Sequence, residues 1–516
     1  MFIFRLYNSP IAIRVIRLFL YFSIIFFGLI YFSCLLNLIL DILDFKWFLE
    51  PAENENLVFS KYISKNSFFD LDNLVEAGIL PIYPDFYHQL SSILNPDNLY
   101  SLRLISVITF TFSLVLFFIF SINFTKSLLV SLCLAMLLFG NVNHSIYFLM
   151  ARVDSLFFFS GLVCTIILFS TYYKKTIYKN YKYLYLKVSL AGVFLAISIL
   201  SKQTALFYFF YSLFIIYYFS DKPFFFKSFS IFSFACITIL TLYVILINKN
   251  TIDYFIIGLK GFGSSFSLIS FKNHIKEIIF NCFGYLLLIF LGLYSLRNEK
   301  RILKFWILSF SIIMLFSFKL FGNIGAFFNN FILFSSTTVI FISIIYKRLI
   351  NTYNYLLINL VLIFSVSNSI YPNFYLGKIK NSFNQIKVKQ TYNGDLEKNK
   401  VYKYVLNSEG RVLSGRNDNI LHYADKNIFY ENSVFSSIIP PKKNIFNIKT
   451  YNSIKKLEID IKDKITKQYF DGIIDGIGNN LSYYKPLINK YYKIYMVDTI
   501  YSGFHKHNLV LYIKKS

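Results

Sequence analysis

Apolar runs of about twenty residues, parted by short basic gaps, recur through the first 372 residues and dictate the solvent of this chain. Runs such as Leu128–Phe139 and Leu356–Val366 carry no charge at all. The chain is 56% hydrophobic and 20% aromatic, with a mean hydropathy of +0.53, more apolar than soluble domains usually are. In lipid, backbone N–H and C=O groups find no water and must pair within their own segment. The runs are therefore expected to be helices, although their β-branched and aromatic residues would favour strands in water.

The runs fall at residues 16–42, 102–122, 127–146, 155–173, 187–201, 204–220, 228–248, 276–296, 305–321, 328–346 and 354–372, about eleven transmembrane helices. The net charge of +25 is not spread evenly. Lys126 follows the second run; Lys174, Lys175, Lys179 and Lys182 the fourth; Lys222 and Lys227 the sixth; Arg297, Lys300, Arg301 and Lys304 the eighth; Lys347 and Arg348 the tenth. Basic residues in every even gap follow the positive-inside rule, which accounts for the charge better than a nucleic-acid partner does. The N-terminus is thus expected in the cytoplasm and the C-terminal segment outside it. The first run follows Arg14 and Arg17 and lacks a small-residue cleavage site, so it reads as a retained helix. Cys34, Cys133, Cys164, Cys236 and Cys282 all lie inside apolar runs, with no spacing suited to zinc or a disulfide framework.

From residue 373 the character changes. Short strand-like pieces appear at Arg411-Val-Leu-Ser, Asp471-Gly-Ile-Ile-Asp, Tyr492-Lys-Ile-Tyr-Met-Val and Leu509-Val-Leu-Tyr-Ile, parted by helical or irregular stretches. The expected organisation is an all-α polytopic membrane domain over residues 1–372 and a small soluble α/β domain over residues 373–516.

Polar residues gather at the mouths that this topology places outside. The first loop, residues 43–101, carries Glu50, Glu53, Glu55, Asp70, Asp72, Glu76 and Asp85. Loops that long usually have a function. Short surface helices are expected at Asn56–Lys65 and Asp72–Gly78, with a turn-rich stretch from Gly78 to Pro84. Arg152 and Asp154 sit at the next mouth, and Lys202-Gln203 in a hairpin after it. Charges beside lipid are costly and need a reason. Arg152 has the planar fork that grips a phosphate, and Asp154 can orient it or hold a divalent cation. The structural alternative is a juxtamembrane salt bridge for Arg152–Asp154 and a snorkelling side chain for Lys202. Arg103 opens the second helix on the same face, where a topogenic or headgroup role competes with a substrate role. Tyr87 and His88 follow the turn at Tyr83-Pro-Asp-Phe, and a histidine among aromatics is more often packed than catalytic. Asn323-Ile-Gly325 and Asn329-Asn330 form a further polar mouth suited to binding a sugar or capping helix ends, with capping favoured.

Together, cations able to neutralise a lipid-linked phosphate face an acid able to activate a hydroxyl. These are the requirements for moving a sugar from a polyprenyl-phosphate donor, and a single displacement would invert the anomeric centre. The residues resemble the type-C integral-membrane glycosyltransferases, in the branch related to protein mannosyltransferases and the aminoarabinose transferases of lipid A. Four pieces carry the resemblance, in order over residues 1–220. Glu53-Asn-Glu55 is similar to the family's acidic motif. Tyr83-Pro-Asp-Phe-Tyr-His with Ser101-Leu-Arg-Leu-Ile-Ser resembles its Tyr-Pro-Pro-Leu-Tyr element and the opening of its second helix. Ala151-Arg-Val-Asp-Ser resembles its Arg-x-Asp element, and Leu200-Ser-Lys-Gln-Thr its Lys-Gln hairpin. The chain departs in having Glu-Asn-Glu for the usual Asp-Glu, and Asp85 for a common second proline.

The resemblance implies Glu55 or Glu53 as base, and Arg152 and Lys202 on the donor phosphate. Asp154, Gln203, Asp85, Tyr87, His88 and Arg103 complete the substrate-binding candidates. It implies an undecaprenyl- or dolichyl-phosphate sugar donor, a lipid or glycan acceptor, membrane lipids around the chain, no nucleic acid, no certain cofactor, with a divalent cation left open, and a bacterial inner membrane with the tail in the periplasm or outside. A flippase of lipid-linked glycans would show paired half-sequences with broken helices. A glycan polymerase or ligase would carry its largest outer loop late and rich in arginine. Neither pattern is present in the sequence.

Overall fold

The computed structural model describes residues 10–44, 51–65, 83–94, 99–139, 148–173, 181–220, 222–261, 283–321, 332–375, 399–414, 448–476, 481–502 and 505–515, with a few single positions between them. Each of the eleven expected apolar runs lies on a helix. They are α1 (Pro10–Asp44), α4 (Leu99–Thr125), α5 (Leu128–Leu138), α6 (Asp154–Tyr172), α7 (Tyr181–Ser201), α8 (Leu206–Phe219), α9 (Lys222–Leu246), α11 (Phe283–Ser295), α12 (Lys300–Phe321), α13 (Ile332–Tyr353) and α14 (Tyr355–Tyr375). Six are long and apolar enough to cross a bilayer, and four more are shorter apolar helices. The chain is an integral membrane protein. Large apolar side chains lie bare on its flanks: Phe22 is 70% exposed on α1, Phe234 73% and Ile245 71% on α9. Such a surface is stable only against lipid.

Between the spans lie three helices at one end of the bundle: α2 (Pro51–Lys65), α3 (Phe86–Leu94) and α10 (Thr251–Gly261). The expected surface helix at Asn56–Lys65 is real but starts at Pro51, so Glu53 and Glu55 belong to a helix and not to a loop. Proline suits the first helical position because its missing N–H costs nothing there, and Glu53 in the first turn meets the positive end of the dipole. The expected helix at Asp72–Gly78 and the mouth at residues 321–328 lie outside the described residues, apart from Phe321.

Tight helix contacts occur where side chains vanish. A Cβ on Gly192 of α7 would stand 2.4 Å from the Phe232 carbonyl of α9, and one on Gly284 of α11 would stand 2.6 Å from Ser365 Cα of α14. In lipid, close backbone approach replaces the hydrophobic drive. Gly192→Leu should therefore force α7 and α9 apart and cost about 1–3 kcal/mol by overpacking. Thermal unfolding in detergent reads the loss; an unchanged midpoint would mean that the pair is free to separate. Deeper in the bundle, Trp306 of α12 is fully buried and stacks on Phe169, with Phe341 of α13 at 4.6 Å between ring centroids.

The C-terminal elements are α15 (Lys400–Asn407), β1 (Val412–Ser414), α16 (Ile448–Thr466), β2 (Gly472–Asp475), α17 (Lys485–Tyr491), β3 (Tyr492–Ser502) and β4 (His505–Lys514). All four expected strand pieces are strands. They form one sheet in the order β1-β2-β4-β3; β1 and β2 are parallel and the other pairs antiparallel. Strand alternation gives the sheet two apolar faces. Val412, Ile474 and Leu511 join the large core that runs through the membrane helices, together with Val401 and Val405 of α15. Leu413, Ile473 and Tyr512 face the other way, into a second core with Ile454, Ile461 and Ile465 of α16. That second core also takes in Val58, Phe59 and Ile63 of α2 and Tyr254 of α10. The small α/β unit thus sits on the helices that carry the acidic segment.

Candidate active site

Four sequence-distant segments meet at the end of the bundle that carries α2. The first knot ties α2 to α4. Glu53 is fully buried and takes a two-pronged grip from Arg103, Nε to Oε1 at 2.9 Å and Nη2 to Oε2 at 2.7 Å. The Ala151 amide donates to the same Oε1 at 2.8 Å, and Arg103 Nη1 donates to the Ile42 carbonyl at 3.0 Å. Such pairing is what a buried charge requires. Arg103 therefore serves as a structural partner of Glu53.

The second knot is the turn before α6. Asn56 donates to the Ala151 carbonyl at 2.7 Å, and Ser106 of α4 to the Arg152 carbonyl at 3.3 Å. With the Glu53 contact, the turn is clasped from both sides. It presents Arg152 and Asp154, which meet at 2.9 Å between Nε and Oδ2. The other carboxylate oxygen accepts from Lys202 Nζ at 2.5 Å. Lys202 is the residue between α7 and a 3-10 turn at Gln203–Ala205, and its ammonium lies 5.7 Å from both the Tyr83 and Phe157 ring centroids. The three side chains are nearly buried, at 8%, 3% and 9% exposure. One carboxylate shared between two cations leaves the trio with a net positive charge. Both Asp154 oxygens face cations, so the carboxylate ties Arg152 to Lys202. Among the described residues no group of three or more His, Cys, Asp or Glu side chains is assembled.

The third knot joins α3 to the end of α9. Asp85 is fully buried; its Oδ1 lies 2.8 Å from Thr251 Oγ1, and its Oδ2 accepts from Asn248 at 2.8 Å and Gln89 at 3.2 Å. Asn248 and Thr251 went unrecognised in sequence because Asn-Lys-Asn-Thr after an apolar run reads as a helix cap. Tyr87 donates to the Leu102 carbonyl at 2.8 Å and lies 3.1 Å from Ser106 Oγ, so it packs α3 on α4. His88 is buried, with Nδ1 3.2 Å from Ser60 Oγ, which accepts from Ser91 at 2.6 Å. Gln203 is buried in the 3-10 turn beside Lys202. The side chain of Glu55 lies outside the described residues, as do His144 and His274.

Burial holds His88 neutral, its pKa lowered from 6.5 to about 3. The unfolded chain binds that proton more tightly, so the stabilisation is complete above about pH 6.5 and is lost as pH falls toward 3. Lowering pH from 7 to 5 should cost about 2 kcal/mol through this group. Thermal unfolding of His88→Gln beside the unsubstituted protein checks this: the variant should lose less stability over that interval, and equal losses would refute the buried neutral histidine.

Beside these knots an apolar groove of about 750 Å³ runs between α7, α8, α9 and α10. Leu200, Phe209, Phe229, Ile237 and Ile245 line its length, and Pro84 and Thr251 wall it next to Asp85. Ile237 is 60% exposed, so the groove opens on the lipid-facing flank. The arrangement offers an apolar chain a bed, and its polar head two cations.

No protein-family model matches the sequence, and no curated protein matches it. The fold, however, is shared with solved structures. The crystal structure of ArnT from Cupriavidus metallidurans bound to undecaprenyl phosphate superposes with a TM-score of 0.60 over 94% of this chain and 97% of that chain, at 10% identity. The apo state of the same protein gives 0.55 over the same shares, again at 10% identity. The chain has the ArnT fold.

Proposed function

We propose that this protein is a membrane glycosyltransferase that moves a sugar from a polyprenyl-phosphate donor to an acceptor at the non-cytoplasmic face. The observation that carries this reading is the Arg152–Asp154–Lys202 trio, whose Lys202 faces Tyr83 beside groove-lining Pro84 and follows groove-lining Leu200 by two residues. The trio suits a phosphate and the groove an isoprenoid tail. The likeness to a fold solved with undecaprenyl phosphate supports the same ligand here.

In this reading Arg152 and Lys202 take the charge that grows on the departing phosphate, and Asp154 keeps both cations aimed. Glu53 is committed to Arg103 and the Ala151 amide, so it positions the Arg152 turn. The base then falls to Glu55, two residues along the same helix. It takes the acceptor hydroxyl's proton as the oxygen attacks the anomeric carbon and the bond to phosphate breaks. One displacement of this kind inverts the anomeric centre. The basic gaps favour a cytoplasmic N-terminus, which puts the site and the C-terminal unit on the far side.

Cell-surface glycans read by mass spectrometry test the reading. Glu55→Gln should abolish the product while leaving undecaprenyl phosphate binding intact. Arg152→Leu should weaken that binding about tenfold or more. Unaltered glycans in both variants at normal protein level would refute the site.

A further inference from the structure

The turn between α9 and α10 holds a cluster of buried polar atoms that close no hydrogen bond of full geometry among the described residues. The hydroxyls of Tyr243 and Tyr254 and the side-chain amide nitrogen of Asn250 are buried and make no hydrogen bond among the described residues. Tyr254 is 0% exposed, Tyr243 5% and Asn250 8%. Thr204 Oγ1, in the 3-10 turn that packs against α10, is a fourth such atom. Buried polar groups without partners are rare, and several at one turn need a reason.

They share a centre. The Tyr243 hydroxyl faces the Asp85 carboxylate and the Tyr254 hydroxyl faces Asn248, itself bonded to Asp85, and neither hydroxyl closes a hydrogen bond of full geometry. Asp85 itself accepts from Asn248, Thr251 and Gln89, and no cation pairs with it among the described residues. Pro84 and Thr251, beside this centre, wall the apolar groove.

The chemistry selects the occupant. A phosphate is repelled by the buried Asp85 charge. A bare cation would satisfy the carboxylate but not the amide N–H donors of Asn250. A sugar hydroxyl donates and accepts at once, and so meets a carboxylate, a phenol and an amide together. We propose that Asp85, Tyr243, Asn250 and Tyr254 form the subsite for the hydroxyl groups of the donor's sugar, separate from the Arg152–Lys202 phosphate site. This rests on the glycosyltransferase reading above and adds to it the residues that choose the sugar.

The test uses the full chain in nanodiscs, with undecaprenyl phosphate and a synthetic panel of undecaprenyl-phosphate-linked hexoses and pentoses as probes. The unsubstituted protein should bind at least one glycosyl lipid about tenfold more tightly than undecaprenyl phosphate. The double variant Tyr243→Phe/Tyr254→Phe keeps both rings and removes no hydrogen bond of full geometry, so its unfolding midpoint should move little. Its affinity for undecaprenyl phosphate should be unchanged, while the added affinity for the glycosyl lipid drops about tenfold. A double variant that keeps the full increment, or that weakens both lipids equally, overturns the subsite. So does an unsubstituted protein that prefers no member of the panel. Failure of undecaprenyl phosphate itself to bind refutes the phosphate site, and this subsite with it. The first three outcomes leave the phosphate site standing.

Discussion

Arg103→Met should cost about 3–5 kcal/mol, the largest stability loss expected of any single change at this site. The arginine is fully buried and closes three contacts, two on Glu53 and one on the Ile42 carbonyl. Its removal strands a buried carboxylate, and the loss is the desolvation of that orphan more than the worth of the pair. Glu53 also holds the Ala151 amide, so the damage spreads to the turn that presents Arg152. The reading is protein yield and thermal unfolding in detergent. The double variant Arg103→Met/Glu53→Leu should regain part of the loss, because it leaves no unpaired charge. A single variant as stable as the unsubstituted protein would show that the pair is dispensable.

Lys202→Met should lower the transfer rate about 10²–10³-fold with little loss of protein. The chain is of similar length and keeps its packing against Phe157 and Tyr83, and Asp154 retains Arg152 as a partner. What goes is one of the two cations proposed to hold the phosphate. Lys202→Arg should recover part of the rate, since charge matters more than shape there. Rate and undecaprenyl phosphate affinity are measured on the same preparations. Full activity in Lys202→Met would reduce the lysine to a strut for Asp154.

The distribution of charge along the chain foretold much of this. Apolar runs long enough for a bilayer named the helices, because no other solvent tolerates them, and the mouths between named Arg152, Asp154 and Lys202 as a group. Two things stayed hidden. Glu53 and Arg103 are fifty residues apart, and their bond is visible only once α2 folds over the start of α4. Separately, both residues read as independent site candidates; together they are a brace. Asn248, Asn250 and Thr251 were hidden for a different reason. Short polar residues after an apolar helix are usual as caps, and only the third dimension brings them to Asp85. His88 is packed, as a histidine among aromatics usually is, but its ring partner Ser60 comes from α2 and was not legible.

The shared core of α2 and the C-terminal unit has a consequence for biosynthesis. Val58, Phe59 and Ile63 leave the ribosome early, but the isoleucines of α16 that cover them follow roughly 390 residues later. At ordinary elongation rates that is a wait of about 20–80 seconds. Until α16 and the sheet have been made, the acidic helix stays half-packed. A product cut before α16 would insert all its spans and still leave α2 without the apolar side chains that cover it.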